Sequence, residues 1–239
     1  MPKLEISKVH DAYAQNEPCP LCTLMESAER IVLLSFQHSR VMEPNVRVKT
    51  NAAGFCPDHL GKLYRGENKL GLALVMLTHL QQQKPGFSAA LDRSLEAAHD
   101  RTRSEQVREV IASLVAARDS CFICDLLAED LARYAWTIVY LWEKDEQFPG
   151  LFRGSRGFCL SHFCTVLESA SEALRGNRFA ELLTDLVPVM KRTLDSLDVD
   201  LTSFTQLHQA ANQDLGTDEV RSALSRTLQM LSGRVQRQT

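Results

Sequence analysis

Apolar side chains recur along this chain at three- and four-residue intervals, the period of amphipathic helices. Met25, Ala28, Ile31, Val32 and Ser35-Phe36 mark one such stripe, and Leu127, Leu131, Ala135, Ile138 and Trp142 another. Shorter helix-like stretches precede them at Val9–Ala14 and Val110–Val115. From Asn68 to Gln83 the apolar residues Leu70, Leu72 to Leu77 and Leu80 wrap almost all the way round, which predicts a helix central in a bundle or covered by a partner. From Asn177 to Leu197 the residues Phe179, Leu182, Leu183, Leu186, Met190 and Leu194 lie on one stripe. Pro188 is expected to kink that helix, because proline removes an intrahelical hydrogen bond. Weaker helices and a polar tail follow Leu201. Nothing alternates long enough to suggest a sheet, so the expected fold class is all-α.

The helical stripes are punctuated by one pattern written twice. The first copy reads Cys19-Pro-Leu-Cys22, then Gly54-Phe-Cys56-Pro-Asp-His59. The second reads Cys121-Phe-Ile-Cys124, then Gly157-Phe-Cys159-Leu-Ser-His162. The inner cysteines are separated by 33 and 34 residues, and the pattern takes six of the seven cysteines. Three thiolates and one imidazole are the donor set of a closed tetrahedral zinc site. Grouped by repeat, Cys19, Cys22, Cys56 and His59 would hold one Zn²⁺, and Cys121, Cys124, Cys159 and His162 a second. An iron–sulfur cluster is the alternative cofactor, and a single metal shared by both Cys-x-x-Cys pairs stays open. The architecture expected is a pseudo-symmetric duplicated helical repeat, divided as residues 1–104, 105–200 and a C-terminal extension over 201–239. The boundary between the repeats is placed in the polar stretch Asp100–Glu109.

Composition narrows the function classes. The formal charge of −3 moves to about −5 if each Cys3His set carries a net −1, and neither value suits a nucleic-acid binder. Arg101, Arg103 and Arg108 are interrupted by Glu105 and Glu109, as on a solvated helix face. The N-terminal segment lacks the apolar core of a secretory signal, and Leu70–Leu77 is too short to span a bilayer. A cytoplasmic protein without a membrane partner is expected, with its cysteines reduced and available to metal.

Other candidates carry less. Cys164 falls outside the duplicated scheme and reads as a partly buried thiol outside the second metal shell, or as a reactive neighbour of it. Glu96-Ala-Ala-His99 has di-iron spacing but no second copy. His79 reads as a packed histidine, His10, His38 and His208 carry no pattern, and Tyr134, Trp136, Tyr140 and Trp142 fit helix packing. No phosphate-cradling loop or nucleophile elbow is present.

The words Glu-Pro-Cys-Pro-Leu-Cys22, Met42-Glu-Pro-Asn-Val-Arg47, Gly54-Phe-Cys-x-x-His59, Leu70-Gly-Leu-Ala-Leu74 and Thr78-His-Leu80 resemble a bacterial family of helical proteins, common in clostridia and known only as a domain of unknown function. The resemblance runs from about Ile6 to Leu194. It implies a cytosolic all-helical protein with duplicated Cys/His motifs and no assigned activity. Met42–Arg47 and Leu70–Leu74 belong to the first copy alone, which makes Arg47 and His79 candidates for an asymmetric role. The reading taken from the sequence is a zinc-bearing adaptor that binds a protein partner or a second copy of itself. A thiol-based redox or metal sensor is the alternative. A third is an enzyme or small-ligand binder with a pocket between the repeats.

Overall fold

A computed structural model describes residues 4–38, 40–97, 103–209 and 216–233. These form eleven α-helices and one 3-10 turn, with no strand among the described residues. In order they are α1 (Ile6–Ala14), α2 (Pro20–Gln37), the 3-10 turn (Arg40–Met42), α3 (Pro44–Ala53), α4 (Pro57–Arg65) and α5 (Lys69–Ala97). Then follow α6 (Arg103–Asp119), α7 (Phe122–Lys144), α8 (Phe148–Gly154), α9 (Leu160–Ala173), α10 (Arg178–Gln209) and α11 (Asp218–Ser232). His99, part of the expected repeat boundary and the tail from residue 234 lie outside the described residues.

The chain forms two compact units, and their limits do not follow the repeats. One is the continuous segment Ala28–Ala128; the other joins Met1–Ser27 to Glu129–Thr239. The divisions fall inside α2 and α7 rather than at residues 104 and 105.

In the unit Ala28–Ala128 the core is Val32, Phe36, Val41, Val46, Phe55, Leu63, Val75, Phe122 and Ile123. Phe36 sits edge-on to Phe55 and Phe122, at centroid distances of 5.6 and 6.0 Å, an arrangement the aromatic quadrupole favours. The first-copy words turn out to brace this unit. Arg47 donates to the carbonyls of Val41 (3.4 Å) and Leu74 (3.0 Å), tying α3 to α5. His79 joins the Asn51 carbonyl through Nδ1 at 2.8 Å. Helix α5 extends well past Gln83, continues across Pro85, and is not central. Val75 is fully buried, but Leu70, Leu77 and Leu80 are 73, 51 and 56% exposed. Ile31, one of the periodic apolar residues of α2, is likewise exposed.

In the other unit, Tyr13, Phe148, Phe152 and Phe158 form a buried aromatic chain. Ile138 and Val139 of α7, Val166 of α9, and Leu182 and Leu186 of α10 close around it as core. Tyr134 and Trp142 are buried, and the Trp142 indole N–H donates to Asp185 (3.0 Å). Helix α10 runs through Pro188 to Gln209, and Thr217 caps α11 by accepting the Val220 N–H.

Candidate metal centres

All four short motifs are built on the first turn of a helix. Cys19 and Cys121 immediately precede α2 and α7, while Cys56 and Cys159 are the N-caps of α4 and α9. The second donor of each motif lies three residues on, where the first helical turn brings it beside the cap. In both Cys-x-x-Cys motifs the second cysteine's N–H points at the first sulfur, at 3.4 Å for Cys22 and 3.5 Å for Cys124. Free N–H groups and the positive end of the macrodipole favour thiolates at such positions.

The donors converge in two groups, and the grouping by repeat is overturned. Cys19 and Cys22 meet Cys159 and His162; Cys56 and His59 meet Cys121 and Cys124. Each Cys-x-x-Cys therefore faces the Cys-x-x-His of the other copy, and neither copy is complete alone. Each Cys-x-x-Cys pair sits in its own group with a Cys-x-x-His, so the two pairs do not share a group. Helix α2, 18 residues and about 27 Å long, carries the chain away from Cys22 before the segment that leads to Cys56, so the order of the motifs along the chain does not decide which of them meet.

Within each group every pair of donor atoms lies within 4.8 Å. Cys22 Sγ is 3.7 Å from Cys159 Sγ, and Cys56 Sγ is 3.9 Å from Cys124 Sγ, far beyond disulfide bonding. His59 Nδ1 stands 3.3, 3.4 and 3.4 Å from the sulfurs of Cys56, Cys121 and Cys124. His162 Nδ1 is 3.4 Å from both Cys19 and Cys22. A regular tetrahedron with bonds of about 2.3 Å to sulfur and 2.0–2.1 Å to nitrogen has edges of about 3.8 and 3.6 Å. Both groups could hold one metal ion.

Glycine backbones hold the second halves of the groups in place. Gly54 has φ +63° and its carbonyl accepts the Phe122 N–H at 3.0 Å, joining one knuckle directly to the other. A Cβ at position 54 would lie 2.7 Å from His79 Nε2. Gly157, at φ +78°, is crowded in the same way by Met190 Sδ at 2.9 Å. The matching bond in the other group has no donor, because Phe122 is replaced there by Pro20.

The two groups differ in their surroundings. Cys19, Cys22 and Cys159 are buried and His162 is half-buried. In the other group His59 is buried, while Cys56 is partly open and Cys124 exposed. Behind His59 lies Glu29, which belongs to none of the sequence motifs. Its buried carboxylate accepts from His59 Nε2 (3.1 Å) and from Lys62 Nζ (2.7 Å), and Lys62 also reaches Asp58 (2.7 Å). Glu29, Asp58 and His59 lie close enough to hold a cation, but the Lys62 ammonium already takes that place. A clue was present in the sequence, since Glu29 interrupts the stripe Met25-Ala28-Val32 on the inner side of α2.

These contacts set the protonation of the group. Burial alone would lower the His59 pKa, but Cys121 and Glu29 outweigh it and raise it to about 10. Burial works to raise Cys121, yet His59 and backbone N–H groups bring it down to about 6. Cys124 is pushed up to about 12 by burial and by Cys121. In the other group Cys19 and Cys22 hold Cys159 well below the usual thiol range, while burial raises Cys19. The protein groups alone thus retain protons that a metal must displace, so metal uptake releases protons and tightens as pH rises. An orienting carboxylate behind a ligating histidine typically contributes a factor of about 10–100 in affinity. The Glu29→Gln protein is expected to lose metal from the His59 group that much more readily in a chelator competition, with the His162 group unchanged.

Cys164 lies outside both groups, and it is exposed rather than partly buried. It sits on a solvent-facing part of α9, where Val166 and Ala170 take the buried positions.

A sequence model of the family described as "Family of unknown function (DUF6062)" matches residues 2–238. The chain belongs to that family. No curated protein and no solved structure matches it. Family membership therefore assigns no activity. No helix among the described residues is long and apolar enough to cross a membrane.

Proposed function

We propose that the protein is a zinc-stapled helical adaptor, in which one closed Cys3His site fixes each compact unit and the helices present an apolar face to a protein partner. The observation that carries this reading is the completeness of both groups: four protein donors with near-tetrahedral edges fill every position of a structural zinc. All seven cysteines are free, which fits the reducing cytoplasm. Tyr64 of α4 and Leu70, Leu77 and Leu80 of α5 supply the exposed apolar side chains a docking face needs, and a second copy of the chain is one candidate for it.

Metal analysis of protein purified without oxygen tests the reading. One zinc per group and a colourless solution are expected; iron with acid-labile sulfide and a brown colour would replace zinc by a cluster. For the docking face, Leu77→Glu with Leu80→Glu is expected to keep helicity and metal content while abolishing concentration-dependent association in sedimentation velocity. Wild-type protein that stays monomeric throughout would rule out self-association. A second reading, thiol-based metal release, is favoured by the exposure of Cys124. It requires that mild oxidant empty the His59 group before the His162 group.

A further inference from the structure

The unit that holds the His162 group also contains a pocket of about 430 Å³, within the usual range for small-molecule sites. Its lining includes Cys19 and Cys159, four arginines, Arg153, Arg156, Arg192 and Arg226, and one carboxylate, Glu219. None of the sequence patterns marks these arginines, because they come from α8, the loop after it, α10 and α11.

Three of the four are anchored by partners within the protein. Arg153 pairs with Asp185 through Nη1 at 3.1 Å. Arg226 is held by Asp200 (2.7 Å), by the Glu219 carbonyl (2.6 Å) and by the Ser222 hydroxyl (3.2 Å), so most of its donors are taken. Arg192 Nη2 donates to the carbonyls of Arg153 (2.8 Å) and Ser155 (3.1 Å), and it has no carboxylate partner among the described residues. Arg156 is fixed by its backbone, whose carbonyl accepts from Thr193 at 2.8 Å, and its guanidinium makes no ion pair among the described residues. Arg156 keeps a whole planar N–H fork and Arg192 keeps its Nη1 and Nε donors, and such guanidinium donors match the oxygens of a carboxylate or phosphate. Leu197 and Met230 add an apolar surface to the same lining.

The geometry points to a binding site for a small organic oxyanion, its charged head on Arg156 and Arg192 and its apolar part against Leu197 and Met230. This inference does not depend on the adaptor reading. It has one rival explanation in the same residues. A zinc with three thiolates carries a net −1, and the arginines could serve only to offset it. The two roles separate on a single substitution.

The metal-loaded full-length protein is titrated with phenyl phosphate, benzoate, inorganic phosphate and, as a neutral control, benzyl alcohol. Saturable heat or a rising melting temperature is expected with an aromatic anion and not with benzyl alcohol. Phenyl phosphate against benzoate decides between phosphate and carboxylate, and inorganic phosphate shows how much the apolar part adds. In Arg156→Gln, whose side chain has no internal partner to lose, affinity is expected to fall more than about tenfold, as for loss of a charged hydrogen bond. Metal content and helicity should stay unchanged. Arg192→Lys, which keeps the charge but not the guanidinium donors, should also weaken binding. Failure of every anion to bind at millimolar concentration overturns the proposal. So does binding that is indifferent to both substitutions, or loss of metal from Arg156→Gln.

Discussion

Replacing Cys22 and Cys159 together by serine is expected to remove one metal ion per chain and leave the other, whereas replacing Cys22 and Cys56 together should remove both. The first pair of residues belongs to one donor group and the second pair is split between two. Grouping by repeat predicts the reverse in each case, so two proteins and one metal assay decide the matter. The first protein leaves two donors in one group and the second leaves three in each, and a closed Cys3His site that loses even one thiolate gives up a large part of a free energy that in small zinc domains is on the order of 10–16 kcal/mol. Retention of one metal by Cys22→Ser/Cys56→Ser would restore the repeat-wise arrangement.

The second large effect is on stability. Domains of ordinary size are stable by only about 5–15 kcal/mol, less than a structural zinc can supply. The Cys124→Ser protein should therefore lose the cooperative unfolding of the unit Ala28–Ala128. Its helical signal should drop by the share of α3 to α6, and the loss should not be recovered by added zinc. The reason lies in the packing beside the ligand. Phe122 and Ile123 are core residues between the two cysteines, and the Phe122 N–H closes on Gly54 next to Phe55. When the metal goes, these contacts lose the constraint that aligns α7 with α4. A Cys124→Ser protein with full helicity and an unchanged melting temperature would mean that the site serves something other than the fold.

Helical periodicity made the fold class legible, and ligand chemistry made the eight donors legible, because both signals are local. What escaped was long-range. Which Cys-x-x-Cys meets which Cys-x-x-His is settled by packing between residues 62 to 137 positions apart, which no local pattern records. The same applies to α5: its residues are apolar on nearly every side, but the contacts of α3, α4 and α6 with it leave Leu70, Leu77 and Leu80 exposed. Cys164 was misplaced because a lone cysteine inherits the average burial of its type and carries no periodic cue. Glu29 and the four pocket arginines were missed for a related reason: each acts through residues distant in sequence, and only Glu29 broke a local pattern. Arg47 and His79 drew notice for appearing in one copy alone, and their hydrogen bonds give them bracing work.

The crossed ligand arrangement has a consequence during synthesis. The first four donors to leave the ribosome are Cys19, Cys22, Cys56 and His59, a complete Cys3His set in a combination the native protein does not use. Cys121, the next donor, follows His59 by 62 residues, which at typical elongation rates is about 3–12 s. For that interval a metal ion can occupy the nascent set, and reaching the native state then requires the Cys56–His59 pair to exchange partners. The native loop from His59 to Cys121 is complete before the 137-residue span from Cys22 to Cys159, so the inner group is expected to take a metal first and the outer one only after release of most of the chain. Exchange of metal–thiolate bonds, as well as helix packing, is then expected to set how quickly this protein matures.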